Sequence, residues 1–116
     1  MNVVAGVLVG LVAALHLCFL VLEMFLWTAP TGRRVFGLDA DFAERSKALA
    51  ANQGLYNGFL VAGLAWGLVT GRTDVRVFFL ACAIVAGAYG AATVNRRILV
   101  VQAVPAAVAL AAVALS

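Results

Sequence analysis

Four apolar runs take up almost all of this 116-residue chain and decide what it can fold into: Val3–Trp27, Ala48–Val69, Val77–Val94 and Ile98–Leu115. Each has the roughly 17 to 25 residues that cross about 30 Å of hydrocarbon at 1.5 Å per residue. The chain is 66% hydrophobic and only 11% charged, with a mean hydropathy of +1.09. A soluble domain carries about 25% charged residues, so the bilayer is the expected solvent. The expectation is an all-α membrane protein, a single domain over residues 1–116 built as a four-transmembrane-helix antiparallel bundle. Its helices run over about 3–27, 41 or 48 to 70, 76–94 and 98–115. The fourth is the shortest and stands nearly upright.

The first run has no basic segment before it and is far longer than a signal-peptide core, so it is expected to remain as the first helix. Cys18 and Cys82 lie inside predicted helices, with no CxxC or Cys/His cluster, and read as small buried hydrophobes; no metal site is indicated. The net charge of +3 does not point to nucleic acid, because the cations sit at helix ends. The first connection holds Arg33, Arg34, Arg45 and Lys47 and the third holds Arg96 and Arg97, against Arg72 and Arg76 in the second. Six against two places the first and third connections in the cytoplasm and both termini outside.

Trp27 reads as an interfacial anchor ending the first helix, with Pro30 and Gly32 opposing its continuation. Residues 28–47 form the longest connection. Asp41-x-x-Glu44 matches a capping box, so the second helix is expected to start near Asp41, with Phe36, Leu38 and Phe42 on the interface. Gly71-Arg72-Thr73-Asp74 is a tight turn, and Asn95-Arg96-Arg97 is short enough to make the last two helices antiparallel neighbours. An inverted two-plus-two repeat is excluded, since each half would enter from the same side. Gly6/Gly10, Gly54/Gly58, Gly63/Gly67 and Ala83/Gly87/Ala91 stand at helix-packing spacing. They serve this bundle, or one pair serves a homo-oligomer.

Inside the first run stands an acid. A central carboxylate costs roughly 2.5 to 3.5 kcal/mol in a membrane helix, which makes Glu23 a functional-site candidate by default. Steps of four, three and four residues put His16, Leu20, Glu23 and Trp27 on one helical stripe. Glu23 lies about 6 Å from the cytoplasmic end of that helix and His16 about 16 Å, near the midplane. Asn52, Gln53, Tyr56 and Asn57 enter with the second helix, Tyr89 and Thr93 leave with the third, and Gln102 and Pro105 begin the fourth. Polar groups in lipid converge on one another or on water, so a polar pocket open to the cytoplasm is expected.

Each member also has a bland reading. Thr93 and Gln102 serve equally as glue between helices or as backbone satisfiers, and Tyr89 as filler with its hydroxyl bonded. Pro105 frees a carbonyl about one turn earlier, near Val101 and Gln102, and kinks its helix. A buried cation would make Glu23 a salt bridge, but no lysine or arginine occurs at its depth, leaving only a snorkelling Arg33, Arg34, Arg96 or Arg97. Otherwise Glu23 acts as a general acid, or binds a proton in exchange for substrate, with His16 as the second titrating group. The two are about 10.5 Å apart along the axis, so they flank a ligand or are linked through water rather than bond directly. A histidine satisfied by a carbonyl is the alternative for His16.

At this constellation the chain resembles a small bacterial and fungal membrane family catalogued as domain of unknown function thirteen-oh-four. The residues that carry the resemblance are His16 with Glu23 and Trp27, the run Asn52-Gln53-Gly54-Leu55-Tyr56-Asn57-Gly58-Phe59-Leu60, Gly87-Ala88-Tyr89-Gly90 with Thr93, and Gln102 with Pro105. It covers nearly the whole chain and implies a four-helix integral membrane protein without implying an activity.

Three functions suit the residues. The first is binding or acid–base conversion (isomerisation, epoxide opening or hydration) of a small lipophilic molecule. Glu23 is then the acid and His16 the base, and Asn52, Gln53, Tyr56 and Asn57 orient the ligand beside Trp27, Tyr89, Thr93 and Gln102. The second is a proton-coupled small-molecule transporter or channel, which the apolar outer half of the helices argues against for one chain. The third is a structural accessory subunit. Expected partners are membrane lipid and a small lipophilic molecule. No cofactor is expected, with haem through His16 the one option that the residues leave.

Overall fold

The computed structural model describes residues 2–116, and every regular element in them is helical. In chain order they are α1 (Val3–Met24), α2 (Pro30–Phe36), α3 (Ala40–Thr70), α4 (Thr73–Thr93), a π-helical turn over Leu99–Ala103, and α5 (Val104–Ala114). The all-α expectation is met. The chain divides into two compact units, one of the residues up to Ala14 with Leu60–Ser116, the other Leu15–Phe59, so the division falls within α1 and α3.

The first unit closes a core of small and branched side chains. Ala5, Val9 and Val12 of α1 pack with Leu64 of α3, Leu80 and Ala83 of α4, and Ala106, Ala109 and Val113 of α5. Alanine is the commonest of these residues, and its small side chain lets the helix backbones approach closely. The small-residue spacing does the same. A Cβ at Gly87 would lie 2.7 Å from the Ala103 backbone nitrogen, and one at Gly63 would lie 2.4 Å from the Phe79 ring. The α4–α5 antiparallel pair follows from its short connection, where Asn95 Oδ1 accepts the Arg97 amide at 2.9 Å.

The proline reading takes a specific form here. Just before Pro105 the helix widens, and Val104 donates to the carbonyl of Leu99, five residues back. A π-turn lets the helix pass a residue that has no N–H of its own. At the other end of α4, Gly71 adopts φ 72°, and Arg72 binds Asp74 through Nε (3.2 Å) and a terminal nitrogen (2.7 Å) while stacking 5.6 Å above the Trp66 ring. Arg76, counted from the sequence among the helix-end cations of the second connection, is buried. Its Nε donates to the Gly67 carbonyl at 2.9 Å, satisfying the last turn of α3, and the lack of a side chain on Gly67 makes the room.

The second unit joins the latter part of α1 to the first part of α3. α1 stops at Met24 rather than Trp27, because the Leu26 amide reaches back five residues to Val21 and the next turn opens. The connection read as irregular contains α2. Pro30 occupies its first turn, where a missing N–H costs nothing, and Gly37 ends it at φ 66°. α3 begins at Ala40, and its cap is Asp39, whose Oδ1 accepts the Phe42 amide at 2.7 Å. The capping box expected on Asp41 and Glu44 does not form; a single cap lies two residues earlier, and those acids pair with Arg45 and Lys47 on the same helix. Cys18, expected to be buried, lies on the surface; Cys82 is half-buried.

Candidate functional site

The stripe read from α1 packs against α3 within the second unit. A Cβ on Gly54 would lie 2.6 Å from Met24 Cγ and 3.2 Å from both Glu23 Cβ and the Leu20 carbonyl, and one on Gly58 would lie 3.0 Å from Leu20 Cδ1. Trp27 donates from its indole nitrogen to Ser46 Oγ at 2.9 Å, and Ser46 in turn donates to the Phe42 carbonyl at 2.7 Å. Leu20 against Gly58, Glu23 against Gly54 and Trp27 against Ser46 form an antiparallel register, with the two glycines setting the closest approach.

Glu23 is half-buried at the centre of that register. Asn57, one turn on from Gly54 and itself buried, donates from Nδ2 to Glu23 Oε1. An amide NH2 aimed at a carboxylate oxygen is a charge-assisted bond when the acid is ionised, and such bonds are about twice as strong as neutral ones. No lysine or arginine bonds Glu23 among the described residues, so the salt-bridge reading of this acid has no partner here. His16 is fully buried, with its ring edge-on to Phe19 at a centroid distance of 5.6 Å.

The remaining sequence candidates are placed differently. Asn52, Gln53 and Tyr56 stand on the exposed side of α3, so of the four polar residues entering with that helix only Asn57 reaches the carboxyl. Tyr89, Thr93 and Gln102 belong to the first unit. Tyr89 is exposed, and Thr93 donates its hydroxyl to the Tyr89 carbonyl at 2.7 Å, the backbone-satisfying role that was its bland reading. Gln102 is half-buried inside the π-turn. Two hollows mark the surface of the first unit. One of about 370 Å³ is lined by Trp66, Asp74, Val75, Phe78 and Phe79, and one of about 520 Å³ runs along an apolar face of α4 from Phe78 to Tyr89.

Sequence reasoning missed Ser46 and Phe36, the two side chains that fix Trp27. Phe36 lies 4.9 Å from the indole, ring centre to ring centre. Serine at the exposed start of a helix carries no signal of a long-range partner, and Phe36 was placed on the interface without one.

Two helices, α1 and α4, are long and apolar enough to cross a membrane, and Leu99–Ala114 forms a shorter apolar helix. The model of a family described as "protein of unknown function (DUF1304)" matches residues 10–114. The chain is 31% identical over 101 residues to a Lactococcus lactis protein called "uncharacterized protein YpaA", covering 83% of this chain and 85% of that one. No solved structure matches. The match spans the α1 stripe, the Gly54-to-Asn57 register and the π-turn alike, and the chain belongs to the DUF1304 family.

Proposed function

We propose that this chain is a four-helix integral membrane protein that binds, and by acid–base chemistry converts, a small lipophilic molecule at Glu23. The observation that carries the reading is the Glu23–Asn57 bond. An acid on an apolar helix is held by one neutral amide, with no cation bonded to it among the described residues, and so keeps capacity to accept or give a proton. In hydrocarbon such a group is retained for use rather than for stability. A purely structural acid would instead be met by a cation, since an unneutralised buried charge is among the costliest features a fold can carry.

The aromatic residues support the membrane placement. Trp27, at the end of the first apolar run, is tied through its indole nitrogen to Ser46 and packs on Phe36, the amphipathic setting of an interfacial tryptophan. In this reading α1, α3, α4 and the π-turn with α5 each cross the bilayer, both termini lie outside, and Glu23 sits in the cytoplasmic half. Glu23 serves as the acid, and His16, buried seven residues earlier on the same helix, as the base on the far side of the ligand.

The test is the content of the purified protein. Organic extracts of the wild type and of Glu23→Gln, compared by mass spectrometry, should share the bulk lipids and differ in one small lipophilic species. That species should be depleted about tenfold in the variant, the equivalent of roughly 1.4 kcal/mol of lost binding. Identical extracts would sink the proposal.

A further inference from the structure

We infer that the folded connection carrying α2 is a docking site for the phosphate of an anionic lipid in the cytoplasmic leaflet, held by Arg33 and Arg34. The inference rests on the membrane placement proposed above, but not on the role of Glu23.

It comes from a charge census. The chain has eight cationic and five acidic side chains. Asp41 takes Arg45, Glu44 takes Lys47 and Asp74 takes Arg72, while Asp39 caps α3 and Glu23 is bonded by Asn57. Arg76 is engaged by the Gly67 carbonyl. Every acid is therefore committed, and Arg33, Arg34, Arg96 and Arg97 bond no acid or carbonyl through their side chains among the described residues; of these four, Arg33 and Arg34 stand on a helix that its neighbours pin. Arg33 also buries its Nε without an acceptor, so its terminal nitrogens are the donors left to offer. Each uncommitted guanidinium offers by itself the bidentate fork that phosphate oxygens accept.

The pair is also held in place. α2 is pinned by the passage of Gly32 over the Leu26 carbonyl, by Phe36 on the Trp27 ring, and by Trp27 on Ser46. Arginines on a fixed turn lose less freedom on binding than arginines on a loose loop. Val35 and Phe36 on α2 and Phe42 in the first turn of α3 expose apolar surface. Apolar side chains beside cations suit the boundary between acyl chains and headgroups, where the anionic cytoplasmic leaflet attracts basic residues. A free phosphate ion would use the arginines and leave those side chains in water, so the lipid is the better fit.

The experiment is native mass spectrometry of the full chain released from neutral detergent with equal phosphatidylglycerol and phosphatidylcholine of matched acyl chains. The wild type should retain phosphatidylglycerol about tenfold over phosphatidylcholine, a preference weakened by added salt. Arg33→Gln/Arg34→Gln should bring the ratio close to one, whereas Arg45→Gln, whose arginine is already paired, and Glu23→Gln should keep it. An undiminished preference in the double variant would overturn the inference, as would an equal loss in Arg45→Gln, or displacement of the lipid by inorganic phosphate at the lipid's own concentration. If the double variant does not fold, the wild type alone decides: no preference, or one indifferent to salt, is fatal. Because Glu23→Gln leaves this readout unmoved, its failure and the failure of the ligand reading are distinguishable.

Discussion

Replacing Gly32 by alanine is expected to cost about 3 kcal/mol, the upper end of what one inserted methyl group costs in a packed site. A Cβ built there falls 1.8 Å from the Leu26 carbonyl oxygen, 2.6 Å from its carbon and 3.2 Å from Trp27 Cα. All three are backbone atoms, so no rotamer change relieves the overlap. The chain escapes only by lifting α2 away, which separates Phe36 from the Trp27 ring and frees Arg33 and Arg34 from their fixed turn. The loss is therefore capped by the docking energy of α2 and should be local. Limited proteolysis between residues 27 and 38 and the emission of Trp27 should both change in Gly32→Ala. Wild-type protection and midpoint would show that this connection is not folded as described.

Gly54→Leu is expected to cost about 1 to 3 kcal/mol and to disable the site as well. Here the Cβ meets Met24 Cγ at 2.6 Å, which can move, but also the Leu20 carbonyl at 3.2 Å, which cannot. A full leucine therefore forces α1 and α3 apart at the level where Asn57 reaches Glu23. The separated pair loses a bond worth about 1 to 2 kcal/mol between helices, and the lipophilic species that the proposal assigns to the wild type should fall with it. Gly58→Ala is the control. Its Cβ meets only the end of the Leu20 side chain at 3.0 Å, and alanine regains roughly 0.5 to 1 kcal/mol of helix propensity. Thermal unfolding in detergent with the extract assay separates the two: a Gly54→Leu protein that keeps its species would contradict the close register.

How far these features were legible in the sequence depends on the range of the force that sets them. The helices were legible because apolar runs and turn residues act locally, and so was the α1 stripe, since periodicity alone places His16, Leu20, Glu23 and Trp27 on one face. The glycine spacing in α3 predicted close approach and is seen at Gly54 and Gly58. Which amide would meet the acid was not legible. Gln53 and Asn57 share a face by spacing, yet only Asn57 lies on the glycine side that α1 covers. The start of α3 was legible to within a residue but its cap was not, because Asp39 and Asp41 are equally good caps in isolation and the fold of α2 before them decides between them. The burial of Arg76 was not legible for a related reason. A charge two residues past a turn acid looks solvated until the end of α3 is seen to need a donor.

The central claim is that Glu23 is an acid held in hydrocarbon and open to a lipophilic partner, and carbodiimide labelling tests it most directly. Membranes opened so that both faces are accessible, treated with a lipophilic carbodiimide, digested and mapped by mass spectrometry, should carry the adduct on Glu23, while a water-soluble carbodiimide should label Asp39, Asp41, Glu44 and Asp74 and spare it. Labelling of Glu23 by the water-soluble reagent, with none by the lipophilic one, would contradict the account.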